Sequence, residues 1–151
     1  MNLLDLSNLL ADASNNHPLV NAHYTHSLDE VDIDKVTTDR YPFVYTQVTS
    51  STISESEVTY EFDIVVADIV FEEMEQEMTQ VHNRTHGIAS DLIASFAFAF
   101  NADSAAEGNY RLDLPIRLQP FRARFGNITA GWEASITVRV PAPVNLCDAL
   151  R

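Results

Sequence analysis

Met74, Met78, Val81, Thr85, Ile88, Leu92, Phe96 and Phe100 follow one another at steps of three or four. That spacing draws one stripe along a long helix, predicted here over Glu72–Phe100. The acids Glu72, Glu73, Glu75 and Glu77 crowd its first turns, where they favour the positive end of the helix dipole. Gly87 is the expected weak point, a kink or a break into two helices. The end, Phe96-Ala97-Phe98-Ala99-Phe100, alternates at period two and could leave the helix.

The stripe needs an apolar surface to cover, and the flanking segments read as strands that supply it. Tyr41–Thr49 alternates Phe43, Tyr45 and Gln47 with Val44, Thr46 and Val48. After a polar turn over Ser50–Glu57, Val58–Val70 places Val58, Tyr60, Phe62, Ile64 and Val66 on one face. Its second half, Ile64–Val70, is apolar on both faces except at Asp68, which predicts cover on both sides. Proximity in sequence makes an antiparallel hairpin the simplest pairing of these two strands. A polar loop, Asn101–Asn109, precedes an alternating run from Tyr110 to Gln119, which Pro115 demotes to a sheet edge or a bulge. A short segment, Phe121–Phe125, leads to the last strand, Thr129–Val140, with Trp132, Ala134, Ile136, Val138 and Val140 on one face.

Upstream, Leu3, Leu4, Leu6, Leu9, Leu10 and Ala13 suggest a short helix, ended by Ser14-Asn15-Asn16 and Pro18. Residues 15–40 read as a long, polar and acidic connection. The expected fold class is α+β: a mainly antiparallel four-stranded sheet, a long helix packed on one face, and a short N-terminal helix. The 151 residues suit a single domain, with 1–40 as helix and extended arm, 41–140 as core and 141–151 as tail.

Charge removes several function classes. The net charge of -13 argues against binding phosphate backbones, which needs clustered Lys and Arg, and against docking on anionic membranes. Solubility through self-repulsion or adaptation to a salty habitat accounts for it equally well. The one cysteine, Cys147, cannot form an internal disulfide, and the N-terminus lacks the basic region of a secretion signal, so synthesis in the cytoplasm is expected.

Candidate catalytic groups are sparse. His82 and His86, four apart on the predicted helix, could face one metal, with His23 or His26 as a further ligand. Asn83 stands where a metalloprotease of that spacing carries its Glu base, and two solvent-facing histidines beside the stripe are the simpler reading. The Glu72–Glu77 acids lack the alternating ligands and central glycine of a calcium loop. There is no Gly-x-Ser-x-Gly elbow and no glycine-rich phosphate loop, and Cys147 lies in a proline-rich tail without a nearby histidine.

The charge asymmetry is more informative. Arg111, Arg117, Arg122, Arg124 and Arg139 concentrate positive charge in the C-terminal third, while acids dominate the first half. One subunit could offer an acidic surface to a neighbour's basic one, head to tail; pairing within one chain across the sheet is an equal alternative.

Several stretches resemble small neck and tail-completion proteins of tailed bacteriophages. They are Pro120-Phe121-Arg122-Ala123-Arg124-Phe125, Gly131-Trp132 with the strand through Pro141, and Asn145-Leu146-Cys147. Tyr41-Pro42-Phe43-Val44 and Phe62–Asp68 belong with them, so the resemblance spans roughly residues 41–147. It implies a structural virion protein of tail-terminator type, a ring that caps the tail tube and joins it to the neck. It implies no cofactor and no catalytic residue. The implied partners are further copies of the chain, with a hexamer favoured, the tail tube protein and the neck or connector protein. The genome would pass through the ring without sequence-specific binding, and an acidic lumen would repel its phosphates. The subunit-interface candidates are Ser50, Ser51, Thr52, Ser54 and Glu55 of the hairpin, with Arg122, Arg124, Trp132 and Arg139. The alternatives are a connector-ring or minor tail protein, a host-protein-binding module, and a small metal-dependent hydrolase using His82 and His86.

Overall fold

A computed structural model of the protein describes residues 3–25, 40–71, 75–107, 111–124 and 128–141. The elements are α1 (Leu3–Asn16), β1 (Ala22–Tyr24), β2 (Phe43–Ile53), β3 (Glu57–Val70), α2 (Glu75–Glu107), β4 (Arg111–Leu112), β5 (Leu118–Arg124) and β6 (Ile128–Pro141). Over these residues the fold is α+β, with two helices and a six-stranded mixed sheet.

The two most regularly alternating segments form the centre of the sheet. β3 and β6 pair antiparallel along their whole length, from Glu57 opposite Pro141 to Val70 opposite Ile128. β2 pairs antiparallel with the other side of β3. β4 and β5 both pair antiparallel with the other side of β6. β1 adds to the start of β2, and it runs parallel, with Ala22 opposite Phe43 and Tyr24 opposite Tyr45.

The expectation of four antiparallel strands therefore needs correction. β1 has three residues, too few to display a period of two. The run expected as one strand over Tyr110–Gln119 is divided around Pro115 into β4 and β5, because proline removes a ladder donor. β5 instead joins Leu118–Gln119 to the Phe121 segment through Pro120, which an edge strand tolerates. The expected polar turn is also shorter. β2 continues to Ile53, and β3 begins at Glu57, so Ser50–Ile53 pair with Val58–Glu61.

Both helices pack on one face of the sheet. Leu6 and Leu10 of α1 and Ile88, Leu92 and Phe96 of α2 meet Val44, Phe62, Ile64, Val66, Ile136, Val138 and Val140. From Val81 to Phe96 the predicted stripe is thus the buried face of α2, while Met74 lies outside the described residues; Thr85 fits the stripe because its hydroxyl donates to the Val81 carbonyl at 2.7 Å. The opposite face of the sheet holds a second cluster, with Tyr41, Phe43, Tyr45, Val65, Ala67 and Ile69 buried beside Tyr24 and Phe121. All of Ile64–Val70 is buried, as the two-sided apolar run requires.

α2 neither breaks at Gly87 nor stops at Phe100. Gly87 is exposed, and the buried neighbours Thr85 and Ile88 hold the helix on either side of it. The backbone cost of one glycine, about 1 kcal/mol, is small against that packing. Beyond Phe100 the helix takes in the expected loop as far as Glu107, through Ala102, Ala105 and Ala106, the residue type with the highest helix propensity.

His17 ties the end of α1 to α2. Its Nδ1 accepts the Leu19 N–H at 3.1 Å, so the proton of the neutral ring sits on Nε2, which donates to Asp91 at 2.9 Å.

Candidate subunit interface

The sheet has two unlike edges. On one, β1 covers β2 only at Phe43–Tyr45, and among the described residues no strand pairs with the outer side of β2 from Thr46 to Ile53. Val48–Ile53 are all exposed, with Ile53 at 70%. These six residues, Val-Thr-Ser-Ser-Thr-Ile, include no charge and no proline. They therefore lack the usual side-chain devices that keep an edge strand from pairing with another chain.

The hairpin is held in shape from within. The register between β2 and β3 shifts between Val48 and Ser50, and Thr49 there donates from Oγ1 to the Glu61 carbonyl at 3.2 Å. Ser50 Oγ donates to the Glu61 carboxylate at 3.0 Å. At the turn, the Ser54 N–H donates to the Glu57 carbonyl at 2.9 Å, and the Glu57 N–H donates back to Ser54 Oγ at 3.2 Å. Ser50, Ser51 and Thr52 thus lie on the edge strand, with Ser54 and exposed Glu55 at its turn.

The other edge is formed by β4 and β5 along β6. Arg111, Arg117 and Arg122 are exposed there, and Arg124 is the last residue of β5. Unlike β2, this edge carries charge and Pro120.

The remaining two candidates lie on central β6 and are engaged within the chain. Arg139 donates from Nε to both Asp113 oxygens at 3.0 Å and from Nη1 to Glu57 at 2.8 Å. Hydrogen bonds to Asp113 first and Glu57 second raise its affinity for its proton above that of an ordinary arginine. The Trp132 indole donates to the His82 carbonyl of α2 at 2.8 Å. The candidate residues therefore separate into one sheet edge, the opposite edge and the sheet interior.

His82 and His86 do lie on one side of α2, and both rings meet the Trp132 ring edge-on, at 5.8 and 5.1 Å between centroids. His82 Nε2 also lies 3.2 Å from the Phe121 carbonyl. His23 contacts Thr46 on the far side of β2, and burial lowers its pKa below the ordinary 6.5. His26, Glu72, Glu73 and Cys147 lie outside the described residues. Among the described residues no group of three or more His, Cys, Asp or Glu could hold a metal ion, and no helix is long and apolar enough to cross a membrane.

One polar pair was not anticipated as a pair. Asp68, 4% exposed near the end of β3, accepts the Ile69 N–H at 2.8 Å and two hydrogen bonds from Arg84 of α2. A surface cleft of about 520 Å³ opens beside it, with Phe71, Gln76 and Gln80 in its wall. The signal in sequence is Asp68 itself, the one charge in an otherwise apolar run; its partner sits sixteen residues away on the helix, where no local pattern reveals it.

The chain matches no protein-family model and no curated protein sequence.

Proposed function

We propose that this protein is a structural subunit that assembles with other copies of itself, as a ring at the head–tail junction of a tailed bacteriophage. The observation that carries the assembly reading is the exposed, uncharged β2 edge, Val48–Ile53. An edge of that length and composition presents unpaired main-chain groups to any complementary chain. The resemblance of residues 41–147 to neck and tail-completion proteins supplies the particular setting. In that setting the ring terminates the tail tube and contacts the tube protein on one side and the neck on the other. The net charge of -13 suits a subunit whose ring passes DNA without holding it. The proposed role needs no catalytic residue and no cofactor.

Native mass spectrometry and light scattering across a concentration series test the assembly. Closed oligomers are expected, in solution or on addition of the tail tube. A monomer under every one of these conditions, together with no copies of the chain in purified virions by mass spectrometry, sinks the proposal.

A further inference from the structure

We infer that the β2 edge pairs with the β2 edge of a second copy, antiparallel, about a two-fold axis at Ser51. The inference rests on the assembly reading above, whose exposed edge it uses, and names the occupant of that edge. The hairpin turn fixes which main-chain groups point outward. The Ser54 N–H donates to the Glu57 carbonyl at 2.9 Å, so these two residues face one another across the ladder. From there the register is regular, with Ile53 opposite Val58, Thr52 opposite Thr59, Ser51 opposite Tyr60 and Ser50 opposite Glu61. In an antiparallel ladder successive residues turn their N–H and C=O alternately toward the partner strand and away from it. Thr52 and Ser50 therefore address β3, and Ser51 and Ile53 address the outside. Among the described residues no strand meets them there, and β1 covers the edge only as far as Tyr45.

Two identical strands pair antiparallel about an axis perpendicular to the sheet, which preserves its faces, so a residue must stand opposite its own counterpart. With Ser51 opposite Ser51, each outward N–H meets the other copy's outward C=O, giving two main-chain hydrogen bonds. On either side Ser50 stands opposite Thr52, a hydroxyl pair of the kind that stabilises neighbouring strands. One step further Ile53 reaches Thr49 and Val48, at the register shift. Ile53 and Val48 project from the same face, since their partners Val58 and Phe62 stand four apart on β3. The contact thus covers the edge's two exposed large apolar side chains, 70% and 37% exposed in the single chain. Charge does not oppose it. Val48–Ile53 include no charge, and Glu61 lies one strand inward, bonded to Ser50 Oγ. Three strand spacings, about 14 Å, then separate the two Glu61 carboxylates, more than the screening length in physiological salt. The opposite edge is a poorer partner, because Pro120 takes a main-chain donor from β5. A two-fold contact closes on two copies, so a ring of more copies requires a second contact elsewhere. A contact this short buries less than a standard interface, so the dimer is weak and concentration-dependent.

A two-fold contact at Ser51 has a signature that a head-to-tail contact lacks: a substitution there meets itself. Ser51→Lys and Ser51→Glu each set like charge opposite like charge, and each alone should dimerise about fivefold more weakly than the unaltered protein. Mixed, they set Lys opposite Glu, and native mass spectrometry should show the mixed dimer in excess over either homodimer. Ser51→Pro removes the outward N–H and spares the bonds to β3, so it should fold, by circular dichroism, and stay monomeric. In the unaltered protein the Ser51 amide should gain protection from hydrogen exchange as concentration rises. Full protection in the dilute monomer means that the same chain covers its own edge, and overturns the inference. So does any of the three variants dimerising alone as well as the unaltered protein, or a mixture without preference for the mixed dimer. If the unaltered protein stays monomeric up to about 1 mM, the weak end of measurable affinity, yet closes into a ring on the tail tube, the two-fold contact is wrong and the assembly reading stands. If it associates under neither condition, both fail.

Discussion

The Trp132 indole on β6 donates its only hydrogen to the main-chain carbonyl of His82 on α2, at 2.8 Å, and so pins the long helix to the sheet. The ring is half-buried in that seam, and the imidazoles of His82 and His86 stand edge-on to it. Trp132→Phe keeps much of the apolar area and deletes the donor. A lost hydrogen bond and weakened ring contacts together predict a fall of about 1–2 kcal/mol in unfolding free energy. Urea titration followed by far-ultraviolet circular dichroism measures it. An unchanged midpoint contradicts a pinning role.

Gly131, one residue earlier, makes a different demand. A Cβ built there would stand 1.8 Å from the Val66 carbonyl oxygen of the neighbouring strand. The obstacle is backbone, so no rotamer change relieves it. Gly131→Ala must push β6 away from β3 within the longest pairing of the sheet, whereas Gly87→Ala meets nothing within 4 Å. Overpacking of this kind costs about 1–3 kcal/mol, and the helix substitution should gain about 1 kcal/mol. Thermal unfolding of the two variants side by side should move in opposite directions.

Asp68 and Arg84 give a prediction that depends on which partner is removed. The Asp68 side chain is 6% exposed and the Arg84 side chain 46%, so the carboxylate pays the larger desolvation. Arg84→Met strands a buried charge and should cost about 3 kcal/mol. Adding Asp68→Asn to that variant removes the stranded charge, and the double variant should be the more stable of the two. A double-mutant cycle by chemical denaturation checks the order. If adding Asp68→Asn deepens the loss instead, the pair is not what Arg84 contributes.

Periodicity made legible the elements that bury one continuous face. The α2 stripe through Val81, Ile88, Leu92 and Phe96 and the alternation of β3 and β6 are each long enough for their period to stand out. Lengths were less legible, because ends depend on partners. Ser50–Ile53 read as turn by polarity, yet they lie opposite Val58–Glu61 and extend as strand. β1 is invisible for the same reason: three residues acquire strand geometry only beside Phe43–Tyr45. Of the interface residues, the hairpin was readable as an exposed turn with an acid. The engagement of Arg139 with Asp113 and Glu57 was not, since those partners lie 26 and 82 residues away.

His23 gives the fold a pH dependence of definite sign. Its ring is partly buried on β1, 2.9 Å from Thr46 Oγ1, and burial lowers its pKa below the ordinary 6.5. The unfolded chain therefore binds this proton more readily than the folded one. Between the lowered pKa and 6.5 the unfolded state carries more protons, so stability falls as pH falls through that window. Above it the contribution is fully present, and below it the loss is complete. The slope from a single site cannot exceed about 1.4 kcal/mol per pH unit. His23→Gln keeps a polar contact to Thr46 within reach and removes the titration. Unfolding free energies measured from pH 7.5 to 5 should fall for the unaltered protein more steeply than for His23→Gln. The carboxylates common to both proteins cancel in the difference, and parallel curves would mean that His23 titrates alike in the folded and unfolded states.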